Sequence, residues 1–214
     1  MAEEEQKQYI FTNSEGLEGN SSKDYTGKGK AQYPNGEIYE GEFVNGVRQG
    51  YGVYEYPAPG EEIPGDKYEG EYYNNKKQGI GKMTYGAKNE NYYGEWKNGK
   101  RHGEGLYTYN NKDVYSGQWQ NGRKHGNGTY LFAKTQMRFK GEWHENNLIH
   151  GEWIYPNGVT YSGKFQNNKP NGEGFWSFPN GNQVIGQYKQ TKIPGQDNND
   201  KNVNIRLEWE VVQE

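Results

Sequence analysis

Apolar and polar residues alternate along short stretches of this chain, and turn-forming residues separate the stretches. In one clear example, Tyr92, Gly94 and Trp96 lie two residues apart, which is the period of a β-strand. Asn98-Gly99 follows directly, and this dipeptide is typical of tight hairpin turns because both residues tolerate positive φ. The pattern therefore predicts an outgoing strand that ends in a hairpin turn.

The residues after this turn alternate in the same way and predict a return strand. Gly103, Gly105, Tyr107 and Tyr109 lie two residues apart, so all four are expected on one face of the sheet. Further along the chain, Pro-Asn-Gly triplets at 156–158 and 179–181 combine residues that are favoured in turns. Each pair of strands is thus expected to form one hairpin, and a second turn leads to the next.

The same unit repeats along most of the chain. The copy that begins at Tyr92 is followed 23 residues later by a close copy that begins at Tyr115. The repeat starts are Tyr39, Tyr68, Tyr92, Tyr115, Phe139 and Tyr161, with a degenerate copy from Leu17 and a half copy from Val184. An insertion at 58–67 stretches the repeat from Tyr39, and the repeat from Phe139 is short, with Ile149 in place of the first glycine of its Gly-x-Gly motif. Such a period indicates a repeat protein.

Consecutive hairpins predict an all-β fold, an elongated single-layer antiparallel meander. Residues 17–188 are expected to form this array of about seven and a half repeats, after an acidic, flexible tail at 1–16. A linker is expected at 189–202 and a C-terminal strand at 203–214, where apolar and polar residues alternate again. That strand has two interpretations: it caps the edge of its own sheet, or it docks onto the sheet of a partner.

Glycines and aromatic residues are expected to build the core together. Glycines at the third, twelfth and fourteenth positions of each repeat leave gaps on the face that carries the rings, so rings can lie across bare backbone. The aromatic residues assigned to this core are Tyr39, Phe43, Tyr68, Tyr72, Tyr92, Trp96, Tyr115, Trp119, Phe139, Trp143, Tyr161 and Phe165. The glycines assigned to it are Gly94, Gly103, Gly105, Gly117, Gly126 and Gly128. One hairpin buries too little to fold alone, so stability requires stacked neighbours.

Composition favours an aromatic core and excludes several classes of protein. The 214 residues include 32 Gly, 20 Tyr and 6 Trp, whereas hydrophobic residues make up only 30%. No apolar run approaches the ~20 residues that cross a membrane, and the acidic first residues do not resemble a secretory or transit signal. Cysteine is absent, which excludes disulfides, and a formal net charge of −3 does not favour nucleic-acid binding. A soluble intracellular protein is therefore expected.

Residues capable of chemistry are present but do not form a pattern that predicts a site. His102 and His125 share a repeat position, yet no further ligands accompany them, so no metal is expected. One position on the non-aromatic face predicts a solvated acidic ladder rather than a catalytic pair, and it holds Glu42, Glu71, Glu95 and Glu142. The glycine-rich stretches lack nucleotide-binding spacing. No catalytic residue, cofactor or enzymatic activity is predicted.

Basic residues cluster at successive hairpin tips. The three clusters are Lys76-Lys77, Lys100-Arg101-His102 and Arg123-Lys124-His125. Two interpretations stay open. The clusters can attract anionic lipid at about 1 kcal/mol per residue near a membrane surface, or they can keep the turns soluble and oppose neighbouring acids.

The motif Tyr-x-Gly-x-Trp, followed by Asn-Gly and Gly-x-Gly, resembles the MORN repeat, and the resemblance covers most of the chain. In the second half, residues 128–133, 161–170 and 186–188 are similar to the MORN-repeat subunits of the ciliary radial spoke head. The repeat number, the acidic start and a C-terminal strand that contains Trp209 also fit those subunits. The insertion at 58–67 departs from the usual spacing.

This resemblance implies a non-enzymatic structural subunit of the radial spoke head in the axoneme of motile cilia, which scaffolds other spoke-head proteins and supports ciliary movement. It implies partners among the radial spoke head and stalk proteins, with two copies per spoke head. It implies a location in the ciliary axoneme, within the cytoplasm and cytoskeleton, without nucleic-acid binding or integral membrane association. The alternative is a MORN-repeat scaffold that links anionic membrane to the cytoskeleton through the basic tips.

Partner-binding residues are expected mainly on the return strands, because Tyr and Trp are favoured at protein interfaces. The residues assigned to this role are Tyr107, Tyr109, Tyr130, Phe132, Trp176 and Phe178, together with Trp209 on the C-terminal strand. Some of these rings must also belong to the core.

Overall fold

The computed structural model describes residues 8–193 and 204–212, and every regular element within them is a β-strand. The strands are β1 (Ile10–Asn13), β2 (Glu18–Gly19), β3 (Gly27–Gln32), β4 (Ile38–Val44), β5 (Val47–Glu55), β6 (Lys67–Tyr73), β7 (Lys76–Tyr85), β8 (Glu90–Lys97), β9 (Lys100–Thr108), β10 (Val114–Gln120), β11 (Arg123–Leu131), β12 (Arg138–His144), β13 (Asn147–Ile154), β14 (Thr160–Gln166), β15 (Lys169–Ser177), β16 (Gln183–Ile193) and β17 (Asn204–Val211). They belong to one antiparallel sheet. The predicted all-β meander is confirmed.

Contacts between residues divide the chain into two compact units. The first comprises Met1–Lys112 with Trp119–Gly122, and the second comprises Asp113–Gln118 with Arg123–Glu214. In the first unit, β3 to β9 pair in sequence order, and β1 pairs with both β2 and β3. In the second unit, β11 to β17 pair in sequence order. Within each unit, repeats that are adjacent in sequence are therefore adjacent in the sheet.

The hairpin turns use asparagine and glycine because their backbone adopts positive φ. Asn98 and Gly99, between β8 and β9, have φ values of 52° and 78°. Asn74 and Asn75, between β6 and β7, have φ values of 47° and 64°. Positive φ at both central residues matches the right-handed twist of the flanking strands, so these dipeptides fix the hairpin register.

Each of several return strands contains a bulge shortly after its turn. In the hairpin of β8 and β9, Gly94 faces Gly105 and Trp96 faces Arg101, so three residues of the return strand oppose Glu95 alone. Gly103 lies in this bulge with a φ of 52°, and a side chain there would collide with the carboxylate of Glu95. The twelfth repeat position is therefore glycine because of the bulge, and the predicted ring above Gly103, and above Gly126 at the same position, was wrong.

Aromatic rings fill one face of the sheet, as the repeat pattern predicts. All twelve aromatic residues assigned to the core are buried, with exposed fractions of at most 9%. The ring of Tyr92 lies across Gly94 and Gly105, where an added Cβ would meet the ring or the facing backbone. The ring of Tyr115 covers Gly128 in the same way, and Gly117 lies against the backbone of Gly128. Glycine is therefore required wherever a first-position ring crosses the two paired strands.

The start of the array differs from the expected flexible tail at 1–16. Residues 10–13 form β1, which pairs with β3 and places Phe11 opposite Ala31. Phe11 is buried, and its ring packs edge-on against Phe43 with the centroids 5.2 Å apart. It also covers Gly29, so β1 follows the same rule of ring over glycine as the repeats. The part of the tail at 1–7 lies outside the described residues.

The end of the array also differs from the expected linker at 189–202. β16 continues to Ile193 because β17 pairs with it, from Ile193 opposite Asn204 to Gly186 opposite Val211. Residues 194–203 lie outside the described part of the chain. The C-terminal strand thus pairs with β16 in its own sheet. Trp209 packs on Tyr188 with the ring centroids 4.9 Å apart.

Candidate functional site

Three of the cations expected at the hairpin tips lie inside the aromatic face instead, and Arg48 lies there in the same way. Counted from the first aromatic residue of each repeat, they occupy position 10, which faces the fifth-position ring across the hairpin, as Arg101 faces Trp96. They are Arg48, Lys77, Arg101 and Lys124. Rings surround each of them, and we call each of these arrangements a cation cage.

The cage of Arg101 shows the arrangement most fully. The guanidinium carbon lies 4.4 Å from the ring centroid of Trp119, 5.0 Å from that of Tyr107 and 5.8 Å from that of Tyr92. Nη2 of Arg101 donates a hydrogen bond to the carbonyl of Gly122 at 2.8 Å. Cation–π attraction of this kind contributes about 0.5–2 kcal/mol according to its exposure. The side chain therefore links its own repeat to the fifth-position ring of the next.

The other cages follow the same plan within their own units. The guanidinium carbon of Arg48 lies 5.0 Å from the ring of Tyr54 and 5.5 Å from that of Tyr72. Nζ of Lys124 lies 4.7 Å from the ring of Trp143 and 4.8 Å from that of Tyr130. The cages of Arg48, Arg101 and Lys124 thus each combine the sixteenth-position ring of their own repeat with the fifth-position ring of the next.

The cage around Lys77 changes the protonation of its cation. Its Nζ lies 4.8 Å from the ring of Tyr68, 5.1 Å from that of Trp96 and 5.3 Å from that of Tyr56. Burial disfavours the charged form and lowers the pKa of Lys77 to about 8, although the charge of Asp66 acts in the opposite direction. Lys77 is therefore partly deprotonated at mildly alkaline pH.

A carboxylate accompanies each cage, two residues before the first aromatic. The hydroxyl of Tyr54 donates to Oε2 of Glu37 at 2.6 Å, and that of Tyr107 donates to Oε2 of Glu90 at 2.5 Å. In the second unit, the hydroxyl of Tyr130 donates to Oδ2 of Asp113 at 2.8 Å. Burial first, and then the hydrogen bond to the carboxylate, raise the pKa of Tyr54 and Tyr107.

In the repeat from Tyr68, the sixteenth position is Met83 and offers no hydroxyl. Asp66 instead accepts a hydrogen bond from the backbone N–H of Gly86 at 2.9 Å. All four cages therefore have an acid beside them.

The last two complete repeats have no charge at either position. Leu148 and Pro170 occupy position 10, and both are fully buried. Met137 and Val159 occupy the place of the carboxylate. The same hairpin thus accepts a cation with an acid, or two apolar residues.

The residues predicted to bind partners lie on this aromatic face and are mostly covered. Tyr107 is only 6% exposed and holds the carboxylate of Glu90, so the structure places it in the core and not among exposed anchors. Among the seven, only Phe178 is exposed, at 38%. The half-buried ones are Tyr109, Tyr130, Phe132, Trp176 and Trp209. Most of these rings are therefore only partly accessible to a partner.

Exposed apolar side chains lie instead on the opposite face of the sheet, which we call the outer face. In the first unit, Tyr93 is 56% exposed and faces Leu106, which is 41% exposed, across β8 and β9. In the second unit, the exposed Phe175 faces the exposed Ile185 across β15 and β16. Their places between core positions could have identified them in the sequence, because large apolar residues there must point away from the core.

The acidic ladder predicted on this face has a structural role in at least two repeats. Oε1 of Glu71 accepts a hydrogen bond from the backbone N–H of Ile80 at 3.1 Å, and Oε1 of Glu95 accepts one from that of Glu104 at 2.8 Å. Gln118 accepts the same bond in the next repeat, from the N–H of Asn127 at 3.1 Å. Because an amide replaces the carboxylate there, the bulge requires an acceptor and not a charge.

A groove of about 590 Å³ lies on the outer face of the first unit, lined by Lys30, Glu40, Tyr51 and Val53 among others. Within residues 8–193 and 204–212, no three His, Asp or Glu side chains are grouped so that they could hold a metal ion. Nor does any helix long and apolar enough to span a membrane occur in this part.

The basic tips also differ from the sequence-based expectation. Each basic cluster has one cation in a cage: Lys77, Arg101 or Lys124. In the third cluster, Arg123 also forms an ion pair with Glu145 at 2.8 Å. Fewer cations therefore face the solvent at these tips than the sequence indicates.

Comparison with known proteins gives the family and little beyond it. No curated protein matches the chain. Among solved structures, the TCP domain of SAS-4 (dCPAP) of Drosophila melanogaster, in complex with a proline-rich motif of Ana2 (dSTIL), is similar over 74% of this chain and 82% of that chain. The identity is 18% and the TM-score 0.46, so we base no argument on this likeness. The MORN repeat model matches residues 18–38, 39–58, 68–89, 92–114, 115–136 and 161–183, which together are more than half of the sequence. The chain belongs to the MORN repeat family.

Proposed function

We propose that this chain is a non-enzymatic structural subunit of the radial spoke head in the axoneme of motile cilia, where it scaffolds other spoke-head and stalk proteins. The MORN repeats themselves indicate a repeat scaffold that acts in protein interactions. The motifs at 128–133, 161–170 and 186–188 support the narrower assignment through their resemblance to spoke-head subunits.

One observation carries the scaffold role: the two faces of the sheet are used differently. On the aromatic face, rings, cations and acids are already in contact with one another, as Arg101 is with Tyr107 and Trp119. On the outer face, the pair of Tyr93 and Leu106 is exposed. Exposed aromatic and aliphatic side chains on a regular surface are typical of protein interaction sites. The outer face is therefore the surface on which we place the partners.

The experiment is an affinity purification of the tagged full-length protein from ciliated cells, washed in high salt and analysed by mass spectrometry. We expect radial spoke head and stalk proteins to remain bound, because an apolar interface resists salt whereas exposed ion pairs are screened. Recovery of none of these proteins would contradict the proposal.

Two matched variants test which face is used. Replacing both Tyr93 and Leu106 by Ser should abolish recovery of the partners, because it removes the exposed apolar pair without touching the core. Phe178→Ser, which removes the exposed ring of the aromatic face, should retain them. The opposite result would assign the contacts to the return-strand rings, as the sequence predicted.

A further inference from the structure

β17 forms an edge of the sheet that is long and regular. Its eight residues pair with β16 on one side, and no other described strand of the second unit pairs with its other side. The edge strand β2, in contrast, contains only two residues. Very short edge strands are one means by which proteins prevent pairing with another chain. β17 lacks that protection and presents a row of unpaired backbone donors and acceptors.

The direction of these backbone groups follows from one hydrogen bond. The N–H of Val212 donates to the carbonyl of Ile185 in β16 at 3.2 Å. Because backbone groups alternate between the two sides of a strand, the N–H and C=O groups of Ile205, Leu207 and Trp209 point away from β16. These three residues define the register in which another strand can pair.

The side chains of β17 divide between the two faces of the sheet. Arg206 and Glu208 share one face, where Nε of Arg206 lies 3.1 Å from Oε1 of Glu208. Ile205, Leu207 and Trp209 lie on the other face, half-exposed, and the ring of Trp209 packs on Tyr188. The strand thus combines a charged face with an apolar face.

We propose that β17 pairs in antiparallel orientation with β17 of a second copy of this chain, about a two-fold axis at Leu207. In this register, Arg206 of each copy lies opposite Glu208 of the other, since directly opposed residues share a face. On the apolar face, Leu207 opposes Leu207 and Ile205 opposes Trp209. The arrangement is isologous, so one strand supplies both halves of the interface.

Charge selects this register over its neighbours. An axis at residue 206 would place Arg206 against Arg206. An axis at residue 208 would place Glu208 against Glu208, and the Glu210 that it sets opposite Arg206 already pairs with Lys189 at 2.7 Å. Directly opposed like charges destabilise a strand pair. The axis at Leu207 replaces both repulsions by two equivalent attractions. This self-complementarity favours a second copy as the occupant of the edge, and the inference stands independently of the proposed function.

The test uses two charge reversals in the full-length chain, with sedimentation equilibrium as the measurement. We expect the wild-type chain to dimerise. Arg206→Glu places two acids opposite each other at both ends of the interface, and Glu208→Arg places two bases there. Each variant should dimerise at least about tenfold more weakly than the wild type, because attractive cross-strand pairs become repulsive.

An equimolar mixture of the two variants separates the contact between copies from the ion pair within one strand. Neither variant can form the internal pair of residues 206 and 208, yet each offers the charge that the other needs. We therefore expect the mixture to form a heterodimer while each variant alone stays monomeric. A monomeric wild-type chain, or a mixture that stays monomeric although the wild type dimerises, would overturn the proposal.

Leu207→Pro provides a control that does not depend on charge. Its N–H points away from β16, so proline removes a donor for the second copy and leaves the ladder with β16 intact. We expect this variant to be monomeric and still to unfold cooperatively on heating, as a folded sheet does. A folded Leu207→Pro variant that still dimerises would place the interface elsewhere and overturn the proposal.

Discussion

The complete repeats fall into two groups that share a hairpin but differ in what it encloses. The repeats from Tyr39, Tyr68, Tyr92 and Tyr115, which we call the caged repeats, enclose a cation at position 10 and carry an acid two residues before the first aromatic. The repeats from Phe139 and Tyr161, which we call the apolar repeats, have Leu148 and Pro170 at position 10, and Met137 and Val159 at the acid position. The two positions therefore change together within a single chain.

This joint change follows from the cost of burying charge. A cation away from water is tolerated when rings and an opposite charge compensate its lost hydration, and an unpaired one is strongly destabilising. Arg101, for example, has three rings around it and the hydrogen-bonded pair of Tyr107 and Glu90 beside it. In the repeat from Phe139, the acid is absent and the apolar Leu148 occupies the position of the cation. A repeat thus has both the cation and the acid, or neither of them.

The first-position hydroxyl separates the same two groups. It donates to the carbonyl of position 4 in each caged repeat, at 3.0, 3.1, 2.9 and 3.1 Å from Tyr39, Tyr68, Tyr92 and Tyr115. Phe139 has no hydroxyl, and that of Tyr161 is buried without a hydrogen-bond partner among the residues that the structure describes. The apolar repeats therefore lack a third polar feature.

The largest effect should come from a feature that both groups share, the ring above glycine. Gly105→Val in a caged repeat and Gly174→Val in an apolar repeat each insert methyl groups beneath a first-position ring, that of Tyr92 or Tyr161. We expect each to lower the free energy of unfolding by at least about 3 kcal/mol, because neither ring nor backbone can move aside. Urea unfolding measures this.

Gly60→Val is the control, since an added Cβ at Gly60 meets no atom within 4 Å. It should unfold like the wild type. A Gly105→Val variant with unchanged unfolding would refute the packing of rings over glycine.

The second effect tests whether the cage requires its acid. Leu148→Lys introduces a cation where Met137 stands in place of the carboxylate, and we expect a loss of about 3 kcal/mol from the unpaired buried charge. The double variant with Met137→Glu and Leu148→Lys should recover at least about 1 kcal/mol of that loss, because it recreates the pair of the caged repeats. Thermal and urea unfolding of both variants give the comparison.

A double variant no more stable than Leu148→Lys alone would show that the joint change of the two positions has another cause.

Repeat positions explain how much of this could be predicted. The period of Tyr92, Gly94 and Trp96 predicts the hairpins and their aromatic face, because a side-chain period of two is decisive for a strand. The cages are not predicted, because cations near turns are expected to face the solvent or a membrane surface. A two-residue turn at Asn98-Gly99 does place Arg101 opposite Trp96, so its face could have been deduced.

The bulges and their consequences could not be predicted in the same way. A glycine at position 12 has no signature that distinguishes a bulge with positive φ from a gap beneath a ring, as Gly103 shows. Similarly, the alternation of apolar and polar residues in the last segment predicts a strand, but nothing in it indicates that β16 extends to Ile193 to pair with it. The pairing of one strand with another depends on the tertiary structure and not on the local residue pattern of either strand.

The third effect is a pH dependence that only a lysine cage should show. Because the pKa of Lys77 is about 8 in the folded chain and ordinary when unfolded, the unfolded chain binds a proton that the folded chain has released. The free energy of unfolding should therefore rise with pH from about 8, by about 1–2 kcal/mol up to pH 9.5, relative to Lys77→Met. Lys76→Met, which removes the exposed neighbour, should keep that rise.

The measurement must stay below pH 10. Burial raises the pKa of Tyr161 to about 12, so ionisation of the unfolded chain lowers the stability above pH 10 and masks the effect of Lys77. If the wild type and Lys77→Met have parallel pH profiles between 7 and 9.5, the ammonium of Lys77 is not desolvated by its cage.

The smallest effect compares the two groups at one hydroxyl. Tyr92→Phe removes the bond to the carbonyl of Glu95, which is 2.9 Å long, and leaves that carbonyl with one partner fewer, so we expect a loss of about 1 kcal/mol. Tyr161→Phe removes a buried hydroxyl that has no partner in the described chain, so the variant should be as stable as the wild type or more stable. Equal losses from both substitutions would mean that the hydroxyl of Tyr161 is satisfied in solution, and the polar character that separates the two groups of repeats would then rest on the cation and its acid alone.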